Sequence, residues 1–513
     1  MRGASLIDCQ CLYSLDVHGP FIAPRRLLFV RCACGSADYI RLHAATILPQ
    51  WWEAVSDTLR LAAAHAALPA EGGTIDLGGG ATFSLDSVGG VLFSKRVHLF
   101  GESTTTFLVG AGVGNHPAIT VSGDGSLVDH FAIVGDHANF TNAPLTSELR
   151  RSLKVTGDRV TVAYLHVSNS IVGINLNNAP GSTAHHCTIE NALIRQGVGA
   201  NNNHAGILVD GPSSADNALS DNRITGHGQG ILVGGAGYRT RAERNNISGT
   251  DDNGIYFSTC ASGCLAADNT VTGFDSVGIK VRGSSNTIRG NHVSSIAAIS
   301  CIGMTGNGAP DANGINGRDL LAEDNFCEGA FTEGVGFGIS DQGYPRGVTA
   351  RGNRVMLTGG TARCIRYLAD ASVPALIDGV EFAHNRCSGH SIGIQVTHLH
   401  PSGRIANVEL SHNRLNGGTD DNIQLVRVAS GVIDHNLAKN GTGAGKHGIL
   451  LFSATYLRVD HNQFGDDQQI PTQAKAIEEA GTSDHNRFIN NAIAGVTDVP
   501  ITLVGANSAV LGD

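Results

Sequence analysis

The sequence predicts an all-β chain: a single parallel β-helix, or β-solenoid, capped at its N-terminal end by one α-helix. Three observations predict it. A Gly-Ile pair returns at positions 206, 230, 254 and 278, an unbroken period of 24 residues. An asparagine returns once per repeat, at Asn222, Asn245, Asn269, Asn291, Asn325, Asn353, Asn385, Asn413, Asn436, Asn462 and Asn486. Inside each repeat the apolar residues alternate with period 2, as in Arg223-Ile224-Thr225 and Lys280-Val281-Arg282, which excludes helical repeats. Composition agrees: Gly 67, Pro 14 and 5% aromatic residues suit short strands joined by tight turns.

Taken in chain order, residues 1–50 show no repeat and stay unassigned; residues 51–513 form the β-helix with its cap. Trp52, Val55, Leu59, Ala62 and Ala66 recur at helical spacing, and Pro69 stops the helix. Gly73-Thr74-Ile75-Asp76-Leu77 is the first strand, and the helix covers the open edge of the first coil. Each repeat holds two or three strands too short to bury a face alone. Stacked about 4.8 Å apart, the repeats bury columns of Ile, Val and Leu and bring the asparagines into a ladder.

The eleven cysteines suggest no disulfide framework. Cys327 and Cys387 stand where other repeats have Val or Ile and read as small core hydrophobes. Cys260 and Cys264 bracket a turn and are placed to pair. The Cys-x-Cys pairs Cys9/Cys11 and Cys32/Cys34 are too closely spaced for a zinc signature, so no metal is assigned.

A formal charge of −10 leaves no global basic field for nucleic acid, and no apolar run is long enough to span a membrane. Leu27–Val30 is too short for the apolar core of a signal peptide.

The Gly-Gly-Thr-Ile-Asp-Leu opening, Val97-His98-Leu99-Phe100-Gly101-Glu102, and the Asn and Gly-Ile repeats resemble the pectate-lyase-like superfamily over roughly residues 54–505. That resemblance implies a right-handed coil and a chain acting on a polysaccharide or oligosaccharide. The reaction it implies first is β-elimination on a uronate-containing glycan. Glycoside hydrolysis or transfer by paired carboxylates, uronate epimerisation, and non-catalytic glycan binding as an adhesin or tailspike remain open alternatives. It implies an extracellular or periplasmic place, with the cytoplasm left open, and a monomer or homotrimer.

In Gly-Ile-x-Val the Ile and Val point inward, so x and the residue after Val face outward. That face carries Leu208 and Asp210, then Leu232, then Tyr256, then Lys280 and Arg282, with His227, Asp251, Asp252 and Asp275 on the turns just before it. For a lyase, Lys280, Arg282 and Tyr256 supply a cation for the uronate carboxylate, a base and an acid. For a hydrolase, Asp251, Asp252 and Asp275 supply two carboxylates. Polygalacturonases carry similar elements in another order, so their residue roles do not transfer to Gly226-His227-Gly228 or Asp251-Asp252.

A second candidate lies where the period stretches to 34 residues, between Asn291 and Asn325. Asp311, Glu323, Glu328, Glu333 and Asp341 crowd it, and inserted loops there are expected to wall a groove. Asp210, Glu333 and Asp341 are read as substrate-binding. Histidine precedes the asparagine at His384, His412, His435, His461 and His485. Repetition coil after coil marks a stacking solution rather than a metal site. No cofactor is implied, and no specific motif supports the calcium that stacked Asp residues leave open.

Overall fold

The structure is a computed structural model describing residues 12–15, 27–30, 46–47, 56–86, 89–113, 116–135, 151–190, 204–235, 237–258, 262–306, 315–338, 344–358, 362–369, 376–441, 446–468 and 471–511. The chain divides into two compact units, Met1–Ile189 and Glu190–Asp513. Each is built mainly from parallel strands stacked in register.

In the first unit, Ile75, Leu99, Val128, Val162 and Ala184 form one inward column in strict register. Ile75, Leu99, Val128 and Val162 are fully buried. The helix Asp57–Ala67 starts at the cap Ser56, whose Oγ accepts from the Leu59 N–H at 3.3 Å. It packs on the strands Thr82–Leu85 and Val91–Phe93. Asp57 Oδ2 accepts the Ser84 N–H at 2.7 Å, and His65 Nε2 accepts from Ser94 and Lys95 at 3.1 and 3.0 Å. The helix thus satisfies donors that the edge strands would otherwise leave bare.

Its buried face is not the expected one. Leu61, Ala64, His65 and Leu68 are buried, whereas Leu59 is 56% exposed and Ala62 and Ala66 are exposed. Alanine on nearly every side made the apolar stripe ambiguous, and the hydrogen-bonding ring of His65 chose the face. Trp52 and Val55 lie outside the described residues. Part of the unassigned N-terminal stretch also has structure: Leu12–Leu15 pairs antiparallel with Leu27–Val30, and Thr46–Ile47 lies parallel beside Gly73–Asp76.

The second unit repeats three strands per coil, as in Gln229–Val233, Arg241–Glu243 and Asn246–Ser248. Ile231, Ile255, Ile279, Ile302, Val335, Ile365 and Ile394 follow one another in register, each fully buried. The asparagine ladder forms as expected. Asn245 Nδ2 donates to Asn269 Oδ1 at 3.0 Å, and Asn269 Nδ2 donates to Asn291 Oδ1 at 2.9 Å. The ladder ends differently. Asn462 Nδ2 donates to Asn491 Oδ1 at 3.0 Å, while Asn486 belongs to another corner and accepts the Leu457 N–H. Both asparagines follow αL residues, Asn490 and His485, so the local sequence does not separate them.

The cysteines also correct the sequence reading. Cys301 pairs with Cys327 and Cys364 with Cys387. The cause is steric. At Gly230, Gly254 and Gly278 a Cβ would collide with Ile247, Val271 and Val293. Where a cysteine takes the glycine place, a second cysteine takes the branched place facing it, and a disulfide fills the contact. Cys264 is a buried free thiol, while Cys260 and the four N-terminal cysteines lie outside the described residues.

Candidate functional site

One outward column of the second unit reads, in register, Leu208, Leu232, Tyr256, Lys280, Gly303, Gly336, Arg366, Gln395 and Gln424. Leu208 and Leu232 do not face open solvent: they are 7% and 6% exposed. In-register stacking sets each side chain against those above and below, which covers its flanks. Tyr256 is likewise buried, and Lys280 is half-buried.

The expected basic pair is assembled. Lys280 Nζ lies 5.1 Å and Arg282 Cζ 5.5 Å from the centre of the Tyr256 ring. Burial and then the Arg282 charge lower the Lys280 pKa, with Asp252 acting the other way. An amine held this way gives up its proton more readily than an ordinary lysine.

The carboxylates around it behave less uniformly. Asp252 Oδ2 accepts from Gln229 Nε2 at 2.6 Å, and Gln229 Oε1 accepts from Asn253 Nδ2 at 3.0 Å. Asp251 is half-buried on the same turn. Asp275 is exposed and, among the described residues, its side chain makes no hydrogen bond or ion pair. The turn therefore does not present two matched carboxylates. His227, expected beside the outer face, is fully buried. Asp210 Oδ1 accepts the adjacent Gly211 N–H at 2.7 Å, a turn contact rather than a reach into the column.

Beyond Lys280 the column loses its side chains at Gly303 and Gly336, then regains a cation at Arg366. Glu333, 2% exposed, accepts at Oε1 from Arg366 Nη1. Its strand neighbours in register are Ser300 and Arg363. Arg363 is half-buried, and burial followed by the Arg366 charge lowers its pKa, with Glu333 opposing. The long strands His292–Thr305 and Phe326–Phe337 take up much of the region read as inserted loop, and residues 307–314 lie outside the described residues. Two of its acids turn elsewhere: Glu323 pairs with Arg351 at 2.7 Å and Glu328 with His292 at 3.1 Å. Asp311 and Asp341 lie outside the described residues.

This face gathers buried polar atoms that have no protein partner among the described residues. They are Arg282 Nε, Ser300 Oγ, Glu333 Oε2, Arg363 Nε, Arg366 Nε, Gln395 Oε1 and Thr397 Oγ1. Each buried group left unsatisfied costs about 1–3 kcal/mol, so these atoms call for a partner from outside the protein, water or a polar ligand. Sequence reasoning found Glu333 but missed Arg363 and Arg366. Aligning Gly-Ile-x-Val with Cys364-Ile365-Arg366-Tyr367 would have found Arg366.

Farther along the same sheet, His447 Nδ1 meets Asp421 Oδ1 at 2.8 Å and its Nε2 meets Glu478 Oε2 at 2.5 Å. Lys475 Nζ reaches Glu478 at 2.9 Å, and Lys446 Nζ reaches Asp420 at 2.6 Å. Burial pushes the Glu478 pKa up, but the Lys475 hydrogen bond and the nearby His447 outweigh it and the net shift is downward. This closed ionic set was not read from the sequence, because His447 sits on a strand rather than at the repeated corner.

At that corner the histidines stack. His384, His412, His435 and His461 follow at centroid distances of 4.8, 5.0 and 5.2 Å, each with φ between 51° and 57°. His485 stacks instead on Tyr456 at 4.8 Å.

Residues 151–315 and 335–508 match the family described as the right-handed beta helix region. The chain belongs to that family. A search of the curated proteins gives no match to this β-helix protein. Among solved structures it is similar to the A-module of a mannuronan C-5 epimerase from Azotobacter vinelandii, at 14% identity and TM-score 0.35, over 91% of this chain and 100% of that one. It is similar to a tailspike of E. coli bacteriophage HK620 solved with a hexasaccharide, at 14% identity and TM-score 0.49, over 89% and 76%. It is also similar to a surface adhesin of Streptococcus pneumoniae, at 10% identity and TM-score 0.41, over 90% and 92%. These are likenesses of fold.

Proposed function

We propose that this face binds a uronate-containing polysaccharide and cleaves it by β-elimination, with Lys280 as the base. The observation that carries the reading is Lys280 held against Tyr256 beside Arg282, its pKa lowered, on a face rich in unsatisfied polar atoms. The Arg282 guanidinium hydrogen-bonds the uronate carboxylate and stabilises the charge that develops when C5 loses its proton. Neutral Lys280 takes that proton and becomes an ammonium. The C5 electron pair forms the C4–C5 double bond as the C4–O bond breaks, and the Tyr256 hydroxyl protonates the departing oxygen. Asp252, already hydrogen-bonded by Gln229, tempers the charge of Lys280 rather than attacking substrate.

The two disulfides support an oxidising place of action, extracellular or periplasmic. The test is incubation of the full chain with a panel of acidic and neutral polysaccharides. Elimination predicts ultraviolet absorbance from unsaturated uronate ends. New reducing ends without that absorbance would replace the reading with hydrolysis. Inverted C5 configuration in an uncut polymer would replace it with epimerisation, and retention of an unchanged polymer with binding alone.

A further inference from the structure

The second cationic centre has a donor and acceptor pattern of its own. Arg366 gives Nη1 to Glu333, yet its Nε and the Nε of Arg363 are buried without a partner among the described residues. Within the same group, Glu333 Oε2 and Gln395 Oε1 are buried acceptors with no donor among the described residues. A ligand that satisfies this set brings an anion for the two guanidinium groups and hydroxyl hydrogens for Glu333 and Gln395. An inorganic anion such as phosphate meets the arginines but offers Glu333 and Gln395 at most the hydrogen of a protonated oxygen, not a set of sugar hydroxyls. A neutral sugar serves Glu333 but brings no anion to Arg363, which has no ion-pair partner among the described residues. A sugar carrying both a carboxylate and neighbouring hydroxyls meets both demands.

We propose that Arg363, Arg366 and Glu333 form a second acidic-sugar subsite, three rungs from Lys280. This rests on the reading of the face as a site for acidic glycan. Three rungs span about 14 Å at the spacing of stacked strands. The two rungs between are Gly303 and Gly336, which carry no cation, and Gln395 and Gln424 beyond are neutral. An extended sugar chain advances by roughly one rung per residue at that spacing. The matching ligand is therefore a heteropolysaccharide whose acidic sugars lie about three residues apart, not a polymer of one uronate.

The test reads binding and not cleavage, so a failed elimination reading at Lys280 is seen separately. Glucuronate, glucose and inorganic phosphate are each titrated into the full-length Lys280→Ala chain by NMR. Glucuronate is expected to saturate, with glucose and phosphate at least tenfold weaker. Adding Arg363→Gln should weaken glucuronate at least tenfold. Adding Glu333→Gln with Arg366→Gln, which removes both members of the ion pair together, should abolish its binding while the melting temperature holds. If the double change unfolds the chain, Arg363→Gln decides, since no ion pair is lost with it. A tetrasaccharide with uronates at its first and fourth residues should bind wild type at least tenfold tighter than free glucuronate, by linkage of two sites. Equal binding of glucuronate and phosphate, no loss with Arg363→Gln, or no gain from the tetrasaccharide would each overturn the proposal.

Discussion

Lys280 sits one rung from Tyr256 in the same outward column, with its amine 5.1 Å from the centre of the phenol ring. Burial and the neighbouring Arg282 both favour the neutral amine. If neutral Lys280 is the base, turnover rises with pH as the amine deprotonates, and the midpoint lies below the ordinary lysine value of 10.5. A pH profile of kcat checks this. Arg282→Gln removes one favouring charge and should move the midpoint up.

Asn269 accepts from the Asn245 backbone and side chain and donates to Ala242 O and Asn291 Oδ1. Asn269→Leu strands those groups in the interior and should destabilise by at least about 2 kcal/mol in denaturant unfolding. Asn246→Leu, at the exposed position just after the ladder residue Asn245, should stay within about 0.5 kcal/mol of wild type.

His390 is fully buried, its Nε2 is 3.1 Å from Asn422 Oδ1, and burial depresses its pKa to about 4. The folded chain therefore holds fewer protons than the unfolded chain between pH 6.5 and about 4. Stability is full above that window and falls as pH drops through it, by up to about 3 kcal/mol from this residue. Denaturant midpoints measured at pH 7 and pH 5 should differ less in His390→Gln than in wild type.

The Cys301–Cys327 disulfide closes a 26-residue separation, worth about 3.5 kcal/mol by chain entropy. Cys301→Gly with Cys327→Val restores the pairing seen at Gly278 and Val293. That double variant should unfold at lower denaturant than the oxidised wild type. It should also lose the part of the response to reductant due to this bridge, since Cys364–Cys387 remains.

Stacking made the fold legible. Ile231, Ile255 and Ile279 repeat because each must fit its copy above and below, and Asn245, Asn269 and Asn291 repeat because each completes the hydrogen bonds of the next. The pair Lys280 and Arg282 was legible for the same reason, lying inside the unbroken 24-residue period. Glu333 and Arg366 were not legible as a pair, because they are 33 residues apart across stretched coils whose register the sequence leaves open. The disulfides were hidden because Cys327 and Cys387 fit the branched column. Only the glycine facing that column, replaced by Cys301 and Cys364, gives them away. The burial of His227 was not legible either, because a residue on a turn looks exposed in the sequence.

The most direct test of the central claim compares wild type with Lys280→Arg on acidic polysaccharides, reading retention and unsaturated product in the same samples. Arginine keeps the charge and removes the usable base. The account predicts that both proteins retain the polymer and that Lys280→Arg releases unsaturated ends at least about 100-fold more slowly, as loss of a general base requires. Release by Lys280→Arg at the wild-type rate, or no retention of any acidic polymer by wild type, would contradict it.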